Sequence, residues 1–205
     1  MCIRDRYYLV YEFLVDEVVL TYPIGGEGFD PNVDETIRWD SYGATGNFTL
    51  EYSTNNGTSW NTIASGINSN NRSYDWNVPN VVTGQALVRV TRGALTSQSH
   101  QNFSIIGVPT GLSVNYACPD SMEVTWNAVA GATGYEVSLL GNKYMDSVGT
   151  AIASTSLLIP AQSNVDHWWS VKALGPNNCV GRRANAVYQS SGCLLYTSDA
   201  ADDET

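Results

Sequence analysis

The chain has 205 residues, of which 43% are hydrophobic and only 15% are charged, and its formal net charge is −10. This hydrophobic content is enough for ordinary protein cores, and the many Gly, Ser, Thr, Asn, Val, Tyr and Trp residues favour strands and turns over helices. The net negative charge argues against nucleic acid and anionic lipid as partners.

Residues 1–6 and residues 193–205 resemble the two translated ends of a transposase-type sequencing adapter. They read MCIRDR at the start of the chain and CLLYTSDAADDET at its end. Segments of this kind are set aside before fold reasoning, so we expect residues 7–192 to be the natural fragment. Cys2 and Cys193 are set aside with them, which leaves Cys118 and Cys179 as the cysteines of the fragment.

Residues 7–16 begin with the apolar run Tyr7–Val15, which Glu12 interrupts. The run is too short to cross a bilayer, and it lacks the cationic leader and the small-residue cleavage site of a signal peptide. We therefore predict no membrane insertion. We interpret residues 7–16 as a strand left from a preceding region, and a frame error beside the adapter is the alternative.

Residues 17–106 contain short runs in which apolar and polar residues alternate, with turn residues between the runs at intervals of about ten. Such alternation is typical of half-buried strands in a sandwich or barrel. The residues predicted to face the core of this first module are Ile37, Trp39, Phe48, Leu50, Tyr52, Tyr74, Trp76, Val78, Ala86, Val88 and Val90.

The segment Ser53–Trp60 is similar to the Asp-box of sialidase-type propellers, with Asn55 in the acidic position. A propeller would repeat the motif at blade spacing, whereas this chain has one copy. We therefore interpret the segment as a hairpin. Asn56 and Gly57 tolerate the positive φ of a tight turn, and Trp60 is expected to fold back over it.

Residues 107–109 (Gly-Val-Pro) break the pattern, and a second set of alternating runs occupies residues 110–192. The residues predicted to face the second core are Met122, Val124, Trp126, Tyr135, Val137, Leu139, His167, Trp169, Val171 and Ala173. Each half has about 85–90 residues and roughly seven short strands, the size of a minimal sandwich. The predicted fold class is all-β, with two consecutive antiparallel β-sandwiches joined by a short linker that Pro109 stiffens.

The second half, residues 110–192, resembles a fibronectin type III domain. The matching segments are Pro109–Leu112 at its start, Val124–Trp126 in strand B, Gly131–Val137 in strand C and Trp169–Ala173 in strand F. His167 stands where the strand-F tyrosine of the family usually lies, so the resemblance does not imply the tyrosine-corner hydrogen bond.

The first half, residues 17–106, resembles the immunoglobulin-like domain near the start of Ser/Thr-rich cell-wall proteins. The matching segments are Tyr22–Glu27, Thr36–Trp39, Leu50–Ser53 and Tyr74–Pro79. The tandem resembles the accessory region of secreted bacterial proteins such as subtilisin-like proteases. The resemblance implies an extracellular or cell-surface location, and it implies neighbouring domains of a larger parent protein as partners.

Catalytic chemistry has little support in the sequence. The histidines, His100 and His167, lack the nucleophile motif of a Ser-His-Asp arrangement, and the cysteines lack zinc-type CxxC spacing. Asp30, Asp34 and Glu35 lie in an apparent loop that we interpret as a solvated turn, with a calcium site or a glycosidase carboxylate pair as alternatives. We predict no enzyme activity and no cofactor.

Cys118 and Cys179 are expected to remain unpaired within the fragment. They fall in the A–B and F–G loops of the second module, at opposite poles of a sandwich whose strands are about 20 Å long. A disulfide requires Cα atoms within about 7 Å of each other. Partners in missing parts of the parent protein are the alternative.

Trp168 is the one tryptophan of its strand that alternation places outward, on the same face as Lys172, with Tyr144 as a neighbour from the C–C′ region. Exposed aromatic rings stack on sugars or anchor protein contacts. We therefore retain two main hypotheses, a spacer between other domains and a module that binds extracellular polysaccharide or protein through these three residues. A hydrolase fragment is a remote alternative.

Overall fold

The computed structural model describes residues 16–43, 45–118, 120–162 and 165–191, with the backbone alone described for residues 116–118. Within these ranges the chain forms strands and no helices, which confirms the predicted all-β class. No described helix has the length and apolarity that crossing a bilayer requires. The predicted adapter segments, 1–6 and 193–205, lie outside the described residues, as does the predicted remnant strand except for its last residue.

The first module has two facing sheets. Its strands are β1 (Glu17–Tyr22), β2 (Gly28–Phe29), β3 (Asp34–Tyr42), β4 (Phe48–Ser53), β5 (Asn61–Ile67), β6 (Ser73–Asn77), β7 (Thr83–Arg92), β8 (Leu95–Gln98) and β9 (Phe103–Ile105). One sheet has the order β1-β3-β6, and the other has the order β2-β9-β7-β4-β5, with β8 paired to β7. Strands β2 and β9 pair in parallel, and the other pairs are antiparallel.

The second module is a sandwich of the same kind. Its strands are β10 (Ser113–Cys118), β11 (Ser121–Thr125), β12 (Gly134–Leu140), β13 (Met145–Ile152), β14 (Ser156–Pro160), β15 (His167–Gly175), β16 (Cys179–Arg183) and β17 (Val187–Gln189). The sheet β10-β11-β14 faces the sheet β13-β12-β15-β16, in which β17 also pairs with β15. Two consecutive sandwiches built mainly of antiparallel strands are confirmed, as the sequence predicts.

The cores form where the alternation predicts them. In the first module, Trp39 and Phe48 are buried with ring centroids 5.3 Å apart. In the second, Trp126 packs at 5.3 Å from Tyr135, and Trp169 is 0% exposed. Burial of each large apolar side chain stabilises the fold by about 1.5–3 kcal/mol, so these faces hold the sheets of each module together.

His167 makes the local contact that the missing tyrosine would make. The ring is half-buried on the inward side of β15, and its Nε2 accepts a 3.1 Å hydrogen bond from the backbone N–H of Gln162. In the tyrosine corner, a side chain similarly bonds to the backbone a few residues upstream. An imidazole therefore ties strand β15 to the preceding loop.

The Ser53–Trp60 hairpin is confirmed. Asn56 and Gly57 have φ of 56° and 81°, and Oγ of Ser53 accepts a 2.9 Å hydrogen bond from the N–H of Gly57. Trp60 lies next to Gly57, and the guanidinium carbon of Arg89 lies 4.1 Å from its ring centroid. These contacts close the turn between β4 and β5. The segment is therefore a hairpin, as predicted from the single copy of the motif.

Candidate functional site

The two modules meet along strand β16, which lies against β2, β7 and β9 of the first module. The backbone N–H of Val180 donates a 2.9 Å hydrogen bond to Oγ of Ser104, and Sγ of Cys179 lies 3.6 Å from the carbonyl oxygen of Ile105. Ile106, which directly follows β9, is fully buried in the core of the second module, and Val82 packs against that core. The first module therefore contributes side chains to the core of the second.

Two glycines of the first module, Gly28 and Gly84, permit this approach of main chains. A β-carbon at Gly84 would collide with the carbonyl oxygen of Asn177 and would lie 2.6 Å from the backbone N of Cys179. A β-carbon at Gly28 would lie 2.8 Å from the backbone N of Arg182. Neither glycine has a positive φ, so the space between the modules, rather than the backbone conformation, requires a residue without a side chain.

A charged contact closes one side of the junction. Arg182 of β16 forms an ion pair with Glu35 of β3, and its guanidinium carbon lies 5.3 Å from the ring centroid of Phe29. Burial raises the pKa of the neighbouring Tyr22, the negative charge of Glu35 raises it further, and Arg182 opposes the rise. Glu35 therefore has a partner across the junction. It lies with Asp34 at the start of strand β3, so the loop predicted for these two residues was wrong.

We expect Arg182→Met to lower the free energy of unfolding by about 0.5–1 kcal/mol, because a partly exposed ion pair is screened by water. Urea unfolding of Arg182→Met, Glu35→Gln and the double variant would give the coupling energy of the pair. Arg183→Met is the matched control, since Arg183 contacts Glu136 of its own module. A coupling energy of zero between Arg182 and Glu35 would contradict the contact.

Cys179 is a free, buried thiol at this junction. Burial raises its pKa, while hydrogen bonds with Ser104, Ile105 and Thr83, of which that with Ser104 is the largest, oppose the rise. The side chain of Cys118 lies outside the described residues, so the predicted absence of a bond between residues 118 and 179 stays a prediction. Mass mapping without reduction would test it, and a linked 118–179 peptide would show it to be wrong.

A second candidate site is an exposed aromatic pair farther along the same sheet edge, where β17 follows β16 beside β15. Trp168 is 45% exposed and Tyr188 is 47% exposed. They face each other across β15 and β17 with ring centroids 5.2 Å apart. Oη of Tyr188 donates a 2.7 Å hydrogen bond to Oδ2 of Asp166, whose Oδ1 accepts a 2.8 Å bond from the N–H of Ser191. Asp166 thus fixes the position of the tyrosine ring.

Among the described residues, the three that were predicted to contact a ligand each have a different neighbour. Trp168 points outward as predicted, but its ring partner is Tyr188. Nζ of Lys172 lies 3.0 Å from Oε1 of Glu136. Tyr144 is 66% exposed, and Nζ of Lys143 lies 5.2 Å from its ring centroid. The role of Trp168, Lys172 and Tyr144 in binding therefore stays a prediction. The structure adds Tyr188 to the residues that could contact a ligand.

We expect Tyr188→Phe to raise the pKa of Asp166 towards its ordinary value. The hydrogen bond from Tyr188 is the largest cause that lowers this pKa, followed by the bond from Ser191. Because the folded-state pKa is lowered, the contact stabilises the fold above the ordinary carboxyl pKa, and this contribution is lost as the pH falls through the lowered value.

An NMR titration of the carboxyl carbon of Asp166 in both proteins would measure this change. Tyr144→Phe, at another exposed tyrosine, is the control and should leave the pKa of Asp166 where it is. An unchanged pKa in Tyr188→Phe would mean that the hydrogen bond to Asp166 does not form in solution.

Two of the three carboxylates considered for calcium, Asp34 and Glu35, make other contacts. Oδ1 of Asp34 accepts a 2.8 Å hydrogen bond from Nδ2 of Asn77, and Glu35 pairs with Arg182. In the part of the chain that the structure describes, no three His, Cys, Asp or Glu residues form a group able to hold a metal ion.

Comparisons with known proteins give weak similarities of overall shape. No family model and no curated protein matches the chain. It is similar to the FN1–FN3 domains of chicken CNTN1, with 16% identity and a TM-score of 0.39 over 87% of this chain and 64% of that one. This chain thus spans less than two thirds of that structure's length.

Two further structures are similar over most of their length. A two-domain fibronectin type III segment of chicken tenascin gives 14% identity and a TM-score of 0.44, over 85% of this chain and 98% of that one. A chain of a cytokine receptor complex gives 11% identity and a TM-score of 0.46, over 85% and 96%. All three TM-scores are below 0.5. The fold of each module is therefore assigned from its own strand order and register.

Proposed function

We propose that the chain is a non-catalytic spacer from a larger secreted or cell-surface protein, in which the two modules act as one stiff unit. The observation that supports this proposal is the junction. A strand of the second module packs on three strands of the first, main chain against main chain at Gly84, and Ile106 enters the neighbouring core. A spacer transmits a fixed separation and direction only if its modules do not swing.

Several finer assignments belong to the same proposal. We assign residues 17–106 to the immunoglobulin-like class, supported by the strand order of its two sheets, and residues 107–109 to the linker. The extracellular or cell-surface location and the parent protein, such as a subtilisin-like protease, rest on the sequence resemblance. The sequence of the uninterrupted gene would test the parent, the adapter ends and the domain limits together.

Small-angle X-ray scattering of the full chain tests the stiffness. The radius of gyration should equal the value calculated for docked modules, and it should not change with salt concentration. A distribution of larger radii in the unmodified chain would show that the modules swing and would overturn the spacer proposal. A scattering profile of docked modules would support it.

A second candidate function is binding of extracellular polysaccharide or protein. The observation that favours it is the exposed Trp168–Tyr188 pair, held by Asp166, because adjacent exposed aromatic rings can stack on a sugar or anchor a protein contact. A glycan array and a pull-down with the full chain would test it. Trp168→Ala should abolish any signal, and Tyr42→Ala, at an exposed tyrosine of the first module, should leave it unchanged.

A further inference from the structure

A crevice of about 390 Å³ lies beside the junction, and both modules form its walls. The first module contributes residues of β9, the bulged start of β7 and the loop before β2. The second module contributes Asn177 and Asn178, which precede β16, and Val180 within that strand. Concave binding sites often form where two domains meet. The crevice exists only while the modules are docked, so a site here rests on the stiff unit proposed above.

The strand pattern explains how the first module forms the floor of the crevice. Phe103 and Ile105 are buried in the first core, so Asn102 and Ser104, which alternate with them, point outward to the second module. The N–H of Gly26 donates a 2.8 Å hydrogen bond to the carbonyl oxygen of Asn102. A β-carbon at Gly26 would meet nothing within 4 Å, so the space above this part of the floor is open.

Five carboxamide side chains line the crevice, and none of them forms a hydrogen bond with another described residue. Gln85 and Asn102 are half-buried, whereas Gln101, Asn177 and Asn178 are exposed. Each carboxamide has two N–H donors and one acceptor oxygen. The crevice therefore holds several donors and acceptors, from both modules, that are free to bond to a ligand.

The main chain of the crevice is already paired. The N–H of Ser104 donates a 2.8 Å hydrogen bond to the carbonyl oxygen of Glu27, and the carbonyl oxygen of Gln85 accepts one of 2.9 Å from Asn56. The N–H of Val180 donates to Oγ of Ser104. Recognition of a peptide by strand addition needs free main-chain groups. These contacts therefore favour a ligand that bonds to the side-chain amides.

The lining is also uncharged. Among the residues that the structure describes, no Asp, Glu, Lys, Arg or His side chain lines the crevice. Glu27, the nearest carboxylate along the chain, accepts hydrogen bonds from the N–H groups of Ile24 and Gly25 with its two oxygens. A charged ligand would lose water here without gaining a counter-charge. A neutral ligand rich in hydroxyl groups fits, because a hydroxyl both donates and accepts.

We propose that the crevice binds a neutral sugar chain of an extracellular polysaccharide. Neighbouring hydroxyls of the sugar bond to the carboxamides of Asn102 in the first module and Asn178 in the second. A ligand that binds only the docked modules stabilises the docked state. The bound chain therefore holds the junction closed. This site is separate from the Trp168–Tyr188 pair, which belongs to the second module alone.

An NMR titration of the ¹⁵N-labelled full chain tests the proposal. The neutral probes are cellohexaose, xylohexaose, mannohexaose and maltohexaose, and the charged probe is hexagalacturonate. We expect at least one neutral hexamer to shift the side-chain NH₂ signals of Asn102 and Asn178. Hexagalacturonate should leave these signals unchanged, because its carboxylates meet no cation in the crevice.

Variants locate the binding. Asn102→Ala removes a carboxamide that bonds to no described side chain, so it should weaken binding by about tenfold and leave the melting curve unchanged. Asn61→Ala is the matched control, at an exposed asparagine of β5, the far strand of the same sheet, and should bind like the unmodified chain. Gly28→Ala lies outside the lining but presses on the backbone N of Arg182. It should open the junction and weaken binding at least about tenfold.

Three results would overturn the proposal. They are no shift of these signals with any neutral hexamer, binding of hexagalacturonate as tight as that of the neutral hexamers, and equal binding by Asn102→Ala and Asn61→Ala. Shifts confined to Trp168 and Tyr188 would also overturn it and would favour the second candidate function instead. X-ray scattering of the same sample separates the failures. Docked modules that bind no hexamer would overturn the crevice site alone, and swinging modules would overturn the spacer proposal with it.

Discussion

Gly84→Ala is expected to separate the two modules and to lower the stability of the docked state by about 1–3 kcal/mol. The added methyl group would lie against the carbonyl oxygen of Asn177 and the backbone N of Cys179. Backbone atoms cannot rotate away as a side chain would, so strand β16 must move off β7. Thermal unfolding should change from one coupled transition to two, and Ile106 should become accessible to solvent.

Gly46→Ala is the matched control, because a β-carbon there would meet only the side chain of Arg92, 3.5 Å away. This variant should melt like the unmodified chain. If Gly84→Ala also melted like the unmodified chain, the close approach of β16 at this point would be wrong.

Trp169→Ala is expected to destabilise the second module by about 3–5 kcal/mol. Trp169 is 0% exposed and lies opposite Leu139 on one neighbouring strand and Val187 on the other. The cavity left by an indole in this position cannot close without moving both sheets. Since small domains have a total stability of about 5–15 kcal/mol, this loss is a large share of the stability of the second module, and its urea-unfolding midpoint should fall markedly.

Trp168→Ala provides a control at the adjacent residue. Its side chain points to the other face of the same strand, so the cost should be below about 1 kcal/mol. Near-ultraviolet circular dichroism with urea unfolding would measure both variants. Equal destabilisation by the two substitutions would contradict the assignment of faces on β15.

The inward faces of most strands could be predicted because strand side chains alternate strictly between the two sides of a sheet. Trp39, Val88, Val124 and Val171 are buried as the alternation predicts. The Asn56–Gly57 turn could be predicted because few residue pairs adopt two successive positive φ angles. The predicted turn and the predicted faces therefore rest on local chemistry.

The junction could not be predicted in this way. It brings Gly84 against Cys179, and Ser104 against Val180, across long stretches of sequence. A glycine needed for space looks the same in a sequence as a glycine in a turn. Contacts between the main chains of two modules leave no periodic pattern.

The aromatic pair was half predicted. Trp168 follows from alternation within the nine-residue strand β15. Tyr188 lies in β17, which has three residues, too few for an alternating run. The pairing of β17 with β15 places the two rings together, and Asp166 completes the site from the preceding loop. The sequence offered two signals for this site. They are a tyrosine after the last predicted strand and an aspartate just before strand F.

Backbone ¹⁵N relaxation of the full chain, analysed separately for each module, is the most direct test of the docked junction. Docked modules tumble together, so residues of β3 and β12 should give the same rotational correlation time and the same diffusion axes. Gly84→Ala should shorten both times as the modules become independent. Two different, shorter correlation times in the unmodified chain would contradict a stiff two-module unit.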